Sequence, residues 1–168
     1  MLLAGAIGTG KSIVAKNIAT ILNLLLLQLD IGSMLGSLVG ESESNVHRTI
    51  IKAKGIAPCV LWINEVEKAL FANGDTSRVS QRILGNILTF MSKCIVGVFV
   101  VATCNNLTAL RTEFKRKGRF DKNFFVNLPT EIERCHILRI HLERYGIKVA
   151  EEYLEVIAAS TSKFSSAA

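Results

Sequence analysis

The chain has 168 residues, 49% of them apolar, and a formal net charge of +6, which leaves room for one globular domain with a sizeable core. No apolar stretch is long and clean enough to cross a bilayer, so a membrane-spanning class is not expected. The four cysteines are scattered: no pair has metal-ligand spacing, and nothing else in the sequence suggests a secreted disulfide framework. The excess of basic residues suits the phosphates of either a nucleotide or a nucleic acid.

Apolar runs alternate with helical patterns along most of the chain, which is typical of an α/β domain with a buried, mainly parallel sheet. The first strand is expected at Leu2–Ala4, where an apolar run meets Gly5. In the helix that follows, four apolar residues recur at helical spacing and define one face: Val14, Ile18, Ile21 and Leu22. Four more strands are expected at Leu24–Leu29, Cys59–Ile63, Gly97–Thr103 and Phe124–Asn127.

Two longer helices are expected between these strands. Ser42 or Ser44 is expected to cap the first. Its apolar face consists of Val46, Ile50 and Ala53. The second follows a polar loop and covers about residues 78–92.

Beyond Pro129 the pattern becomes purely helical. Apolar positions indicate one helix within Ile132–Tyr145 and another at Tyr153–Ala159. We therefore expect an α/β core over residues 1–129 and the start of a helical lid over residues 130–168.

The first strand and the first helix are joined by Gly5–Ser12, with the sequence GAIGTGKS. Glycine lets the backbone wrap closely around phosphate oxygens, and the following helix points its positive end at the anion. Lys11 supplies a charge for the β and γ phosphates, and Ser12 offers a hydroxyl to Mg²⁺. A plain glycine turn would not need this strand and amphipathic helix around it. We predict binding of ATP through Gly5, Gly8, Thr9, Gly10, Lys11 and Ser12.

ATP hydrolysis also needs an acidic strand end beside such a loop. The expected strand Cys59–Ile63 leads into Asn64 and Glu65. Glu65 has the right type for the general base that polarises water, whereas Asn64 offers the metal an amide oxygen without charge. Alternatively, Glu65 is an exposed carboxylate that suits the dipole of a helix running to Phe71. The phosphate loop upstream favours the catalytic interpretation.

In this order the motifs resemble those of AAA+ ATPases of the AAA branch, from Leu2 to about Ala167. The segments VFVVATCNN and RKGRFD are similar to that branch's second region of homology. The segments GESES, VLWINEVEKA and RKGRFDKNFFVNLP look most like AAA proteins of unassigned function encoded by plastid and cyanobacterial genomes. The resemblance implies a P-loop NTPase core with a parallel five-stranded sheet flanked by helices, in the cytoplasm or the plastid stroma.

The resemblance also implies roles for individual residues. Asn105 would be the sensor that orients water and reads the γ-phosphate. Arg116 and Arg119 would be arginine fingers that reach the nucleotide of a neighbouring subunit. His141 would lie near the base and sugar of the nucleotide. Because AAA+ domains typically assemble as hexameric rings, a homo-oligomer is expected.

Simpler interpretations stand beside these roles. Asn105 can cap a strand-to-loop turn, and His141 can be an ordinary half-buried helix residue. The basic cluster around Arg116 can be a solvated face or a nucleic-acid patch. The family spacing of Gly118 and Phe120 favours arginine fingers, and no aromatic residues interleave with the basic ones as base stacking requires. A nucleic-acid partner is therefore not expected.

The chain also departs from the family pattern. Asn64 stands where the family has aspartate, and Ser37–Gly40 lacks the pore-loop aromatic residue of substrate-threading members. The first strand lies almost at Met1, the lid stops at Ala168, and Lys163–Ala167 lacks both glycines of the family stretch, which suggests truncation at both ends. We expect an ATPase domain that couples MgATP hydrolysis in a ring to remodelling or regulation of a partner. The alternative is a nucleotide-binding regulatory subunit or fragment with impaired hydrolysis.

Overall fold

The computed structural model describes residues 1–34, 41–70, 76–93, 95–106, 120–162 and 164–165. The chain divides into two compact units. One comprises Met1–Ala4 and Lys11–Phe125, and the other comprises Gly5–Gly10 and Val126–Ala168. The division into an α/β core over residues 1–129 and a helical lid over residues 130–168 stays a prediction.

The sheet has five strands: β1 (Leu2–Gly5), β2 (Leu25–Asp30), β3 (Cys59–Asn64), β4 (Val98–Cys104) and β5 (Asn123–Val126). Their order is β2-β3-β4-β1-β5, and the pairs β2–β3, β3–β4 and β1–β4 are parallel. This confirms the predicted α/β fold and all five strands. Because parallel neighbours end at the same edge of a sheet, the residues that follow β3 and β4 lie at one edge.

Strand β3 forms the centre of the core. Val60, Leu61 and Ile63 have no exposed surface, as expected for a parallel strand covered on both faces. Ile63 lies level with Ala102 of β4, and Asn64 lies level with Asp30 of β2. The register therefore sets the last residue of β3 beside the polar ends of both neighbouring strands.

Helices follow the strands at α1 (Lys11–Ile21), α2 (Ile31–Met34), α3 (Glu41–Gly55), a 3₁₀ helix (Val66–Leu70) and α4 (Thr76–Ser92). Helix α3 buries its predicted face of Val46, Ile50 and Ala53. It begins upstream of both Ser42 and Ser44, so the expectation that one of them caps it is wrong. Ser42 is instead a buried residue of the first helical turn.

The expected apolar face of α1 is also wrong. Val14, Ile21 and Leu22 are 37%, 81% and 48% exposed, whereas Ala15 and Ala19 are buried. Helix α1 contacts β2, β3 and β4. Two alanines four residues apart present a narrow, smooth stripe, so the helix backbone can approach the sheet closely and the larger residues turn outward.

The second unit contains two helices, α5 (Glu131–Arg144) and α6 (Glu151–Ser160), which confirms the two that were expected. Thr130 caps α5: its hydroxyl accepts the N–H of Glu133, whose carboxylate accepts the N–H of Thr130 at 2.7 Å. The backbone N–H and the hydroxyl of Thr130 both donate to this carboxylate and lower the pKa of Glu133. Arg134 joins the helices, donating to the carbonyls of Ala158 at 2.7 Å and Pro129 at 2.8 Å.

Candidate functional site

The glycine-rich loop connects β1 to α1, as the sequence predicts. Gly8 and Gly10 have φ angles of 79° and 86°, in the left-handed region that side chains disfavour. Thr9 is buried, and its hydroxyl donates to the carbonyl of Ala6 at 2.9 Å. At Gly5, an added Cβ would lie 2.1 Å from the carbonyl oxygen of Val126, so only glycine fits where β1 ends.

Lys11 and Ser12 form the first turn of α1. Lys11 is only 6% exposed, and Ser12 is exposed. Burial lowers the pKa of Lys11, while nearby Glu67, Cys104 and Glu65 act in the opposite direction. An ammonium in the first turn of a helix, directly after a glycine-rich loop, is placed to bind a phosphate anion.

Strand β3 ends at the predicted pair Asn64 and Glu65. The Oδ1 atom of Asn64 accepts the hydroxyl of Thr103 at 2.8 Å. The same hydroxyl oxygen accepts the indole N–H of Trp62 at 3.2 Å and the backbone N–H of Glu65 at 3.4 Å. Glu65 has a φ angle of +55°, a rare conformation for a residue with a side chain. The chain therefore turns sharply at the expected catalytic glutamate.

The carboxylate of Glu65 has a donor on each oxygen. Its Oε1 accepts the side-chain amide of Asn105 at 3.4 Å, and its Oε2 lies 2.5 Å from Nζ of Lys68. The structure therefore brings Glu65 together with Asn105, the residue to which the family resemblance assigns the sensor role. We did not predict Lys68, although its position three residues after Glu65 is the signal for such a pair.

Glu67 is a second residue that the sequence analysis missed. It is 6% exposed, and its Oε1 accepts the backbone N–H of Asn105 at 3.0 Å. Among the described residues, its Oε2 is buried without a hydrogen-bond partner. Burial raises the pKa of the Cys104 thiol to about 12, and the charge of Glu67 adds to the effect. The sequence shows that Glu67 is an acidic residue shortly after a strand, but it does not show that this residue is buried.

Other predicted residues lie outside the described part of the chain or in the second unit. Arg116, Arg119 and the pore-loop position Ser37–Gly40 lie outside the described residues. His141 is an exposed residue in the last turn of α5, in the second unit. Its place beside a nucleotide stays a prediction.

Within the described ranges, no group of three or more His, Cys, Asp or Glu side chains is arranged to hold a metal ion. None of the helices in the described part of the chain is long and apolar enough to cross a membrane.

In this parallel sheet, β1 leads into a glycine-rich loop that ends in Lys-Ser, and β3 leads into Glu65. This combination defines a P-loop NTPase core of the α/β class. The AAA family, described as the ATPase family associated with various cellular activities, matches residues 1–128. This chain belongs to the AAA family.

Similar proteins agree with this assignment. The chain is 43% identical over 170 residues to the uncharacterized AAA domain-containing protein ycf46 of Guillardia theta, covering 99% of this chain and 34% of that protein. It is 47% identical over 148 residues to its counterpart in Trieres chinensis, covering 86% of this chain and 30% of the relative. It is 33% identical to the ATP-dependent zinc metalloprotease FtsH of Ureaplasma parvum, covering 99% of this chain and 23% of FtsH. The chain thus spans about a third of the ycf46 proteins it matches.

A solved structure supports the fold. The FIGL-1 AAA domain in complex with ADP is similar with a TM-score of 0.84, at 24% identity, covering 99% of this chain and 56% of that one. At this identity the likeness establishes the shared fold.

Proposed function

We propose that this chain is an ATP-binding and ATP-hydrolysing AAA domain that couples turnover of MgATP, within a ring, to remodelling or regulation of a partner. The observation that carries the proposal is the meeting of Glu65 and Asn105 at the edge of the sheet, in the same unit as the buried Lys11. A base, an amide that can orient water and a phosphate-binding cation are the groups that phosphoryl transfer to water requires.

Each residue has a proposed task. Lys11 neutralises phosphate charge, Glu65 accepts a proton from the attacking water, and Asn105 orients that water through its amide. Arg116 and Arg119 act in the site of the neighbouring subunit, and His141 contacts the base and sugar. Family membership supports these roles, and the ring follows from fingers that act in trans.

Mg²⁺ fits the donors that are present. Ser12 supplies a hydroxyl and Asn64 an amide oxygen, and Mg²⁺ takes oxygen donors while keeping several waters and substrate phosphates. One lone pair of the Asn64 oxygen is used by Thr103, which leaves the other for a water of the metal's shell. Bound Mg²⁺ would neutralise charge on the β and γ phosphates. Glu65 and Glu67 supply negative charge nearby that Asn64 lacks.

The second candidate is a nucleotide-binding regulatory subunit without hydrolysis. Asn64 motivates it, because the neutral amide is held in place by Thr103 and carries no charge for the metal. In such a chain ATP would stabilise an assembly, and Glu65→Gln would leave both ATP binding and phosphate release unchanged.

The resemblance to plastid-encoded relatives supports a location in the plastid stroma, with the cytoplasm as the alternative.

Binding of ATP by Lys11→Ala tests the shared part of both candidates. Titration of fluorescent ATP should show that the variant loses binding, because the buried cation has gone. Lys16→Ala, on the exposed side of the same helix, is the control and should bind as the natural chain does. Equal binding by Lys11→Ala and the natural chain would contradict the phosphate-loop assignment.

A further inference from the structure

The second contact of Glu65 has no role in the proposed chemistry. Nζ of Lys68 lies 2.5 Å from Oε2, while Oε1 is engaged by Asn105. A general base activates water through an oxygen that is open to it. An ammonium on Oε2 competes with water for that oxygen, so this arrangement is not the one in which Glu65 works as a base.

The backbone fixes this pair. The 3₁₀ helix Val66–Leu70 begins directly after Glu65, and the N–H of Lys68 donates to the carbonyl of Glu65 at 2.9 Å. Residues three apart in a 3₁₀ helix lie above one another, which places Lys68 over Glu65. The Lys68 side chain is 49% exposed, so its ammonium can leave the carboxylate for water at small cost.

Gly32, in α2 directly after β2, shows where the pair lies. A Cβ added to Gly32 would be 2.7 Å from Nζ of Lys68 and 3.0 Å from Oε2 of Glu65. Strand β2 flanks β3 on one side, whereas β1, which leads towards Lys11, lies beyond β4 on the other. Lys68 therefore holds one oxygen of Glu65 on the side of the sheet away from β1.

Charges on the surrounding elements support a charged pair. The hydrogen bond from Lys68 to Glu65 raises the pKa of Lys68, and Asp30 and Glu67 add to the effect. Lys11 and Glu65 also attract each other. Two lysines therefore act on the charge of Glu65: Lys11, which is buried, and Lys68, which is half-exposed.

We propose that Lys68 is a latch that holds Glu65 turned towards Gly32 and so limits the rate of ATP hydrolysis without contributing to ATP affinity. This inference rests on the proposed function, since a latch on the base matters only if the base acts. Lys68 is a positioning residue, because it acts through Glu65 and not on the nucleotide. Gly32 leaves room for the latch, because a Cβ at this position would lie 2.7 Å from Nζ of Lys68.

Three substitutions separate the latch from a structural role. Lys68→Met removes the ammonium at similar length, Lys68→Arg keeps a cation, and Gly32→Ala displaces the cation by crowding. We expect Lys68→Met and Gly32→Ala each to raise kcat about two- to five-fold with KM unchanged, the range for losing an exposed ion pair. Lys68→Arg should stay near the natural rate, and the double variant Gly32→Ala/Lys68→Met should gain no more than either single one.

Lys54→Met, an exposed lysine of α3, is the matched control and should leave kcat unchanged. If Lys68→Met lowers kcat, Lys68 orients Glu65 productively and the latch is overturned. A fall in both kcat and melting temperature for Lys68→Met and Gly32→Ala would assign the pair to stability, which also overturns it.

A second measurement does not depend on turnover. Acylation of Lys68 by an amine reagent, followed by mass spectrometry of the nucleotide-free chain, should be at least about threefold faster in Glu65→Gln, because loss of the partner frees the amine and lowers its pKa. Equal rates in the natural chain and Glu65→Gln would contradict the pair itself. If labelling differs as expected but no variant, including Asn64→Asp, hydrolyses ATP, the proposed function has failed while the pair stands, and the latch is then rejected as a control on hydrolysis.

Discussion

The hydroxyl of Thr103, near the end of β4, donates to Oδ1 of Asn64, the last residue of β3, at 2.8 Å. Because its oxygen also accepts the N–H groups of Trp62 and Glu65, one buried hydroxyl joins the ends of two central strands. It thereby fixes the backbone from which Glu65 projects.

Replacing Thr103 with valine tests this link. The change keeps the shape of the side chain but leaves the indole N–H of Trp62, a residue that is 3% exposed, without its acceptor. We expect the free energy of unfolding to fall by about 1–3 kcal/mol in urea titrations. Thr20→Val, on the exposed side of α1, should change it by less than about 0.5 kcal/mol. Equal stability of Thr103→Val and the natural chain would show that the hydroxyl does not hold the strand ends.

Two glycine substitutions should have opposite effects on stability. At Gly5, a methyl group would meet the carbonyl of Val126 at 2.1 Å, so Gly5→Ala should destabilise by about 1–3 kcal/mol. At Gly85, inside α4, nothing lies within 4 Å of an added Cβ. Gly85→Ala should therefore stabilise by about 0.5–1 kcal/mol, because alanine favours the helix. Thermal and urea unfolding measure both: a stabilising Gly5→Ala would contradict the close contact at the end of β1, and a destabilising Gly85→Ala would contradict the open space beside α4.

The thiol of Cys104 should make stability fall in alkaline solution. Burial first, and then Glu67, raise its pKa to about 12, above the value of about 8.5 in an unfolded chain. Its contribution is therefore fully present below pH of about 8.5 and is lost as the pH rises towards the folded value. Burial lowers the pKa of Lys11, so the titration of Lys11 makes the stability rise with pH, which is opposite to the effect of Cys104.

The difference between the natural chain and Cys104→Ala reports the thiol together with its charge interaction with Lys11, which is present in both chains. Urea unfolding from pH 7.5 to 10.5 should show this difference shrinking above pH of about 9, by at most about 1.4 kcal/mol per pH unit. A difference that stays constant across this range would mean that the thiol titrates normally in the folded chain.

Local patterns predicted the strands well, since apolar runs such as Cys59–Ile63 act within a few residues, whereas the cap expected at Ser42 or Ser44 was wrong. Glu65 and Asn105 were singled out separately, and their contact depends on the pairing of β3 with β4, which the sequence did not predict. The buried face of α1 could not be predicted from the apolar pattern, because a helix that packs closely on a sheet buries small residues such as Ala15 and Ala19 and not the larger apolar ones. The hydrogen bond between Thr103 and Asn64 depends on strand register, which no pattern within either strand specifies.

The central claim, that the chain hydrolyses ATP through Glu65, is tested most directly by steady-state phosphate release from MgATP. The natural chain, Glu65→Gln and Asn64→Asp should be compared over a range of protein concentrations that permits rings to form. We predict release by the natural chain at a specific rate that rises with concentration, a loss of about 100-fold or more in Glu65→Gln, and release at least as fast in Asn64→Asp. Tight ATP binding without phosphate release, by both the natural chain and Asn64→Asp, would contradict the claim.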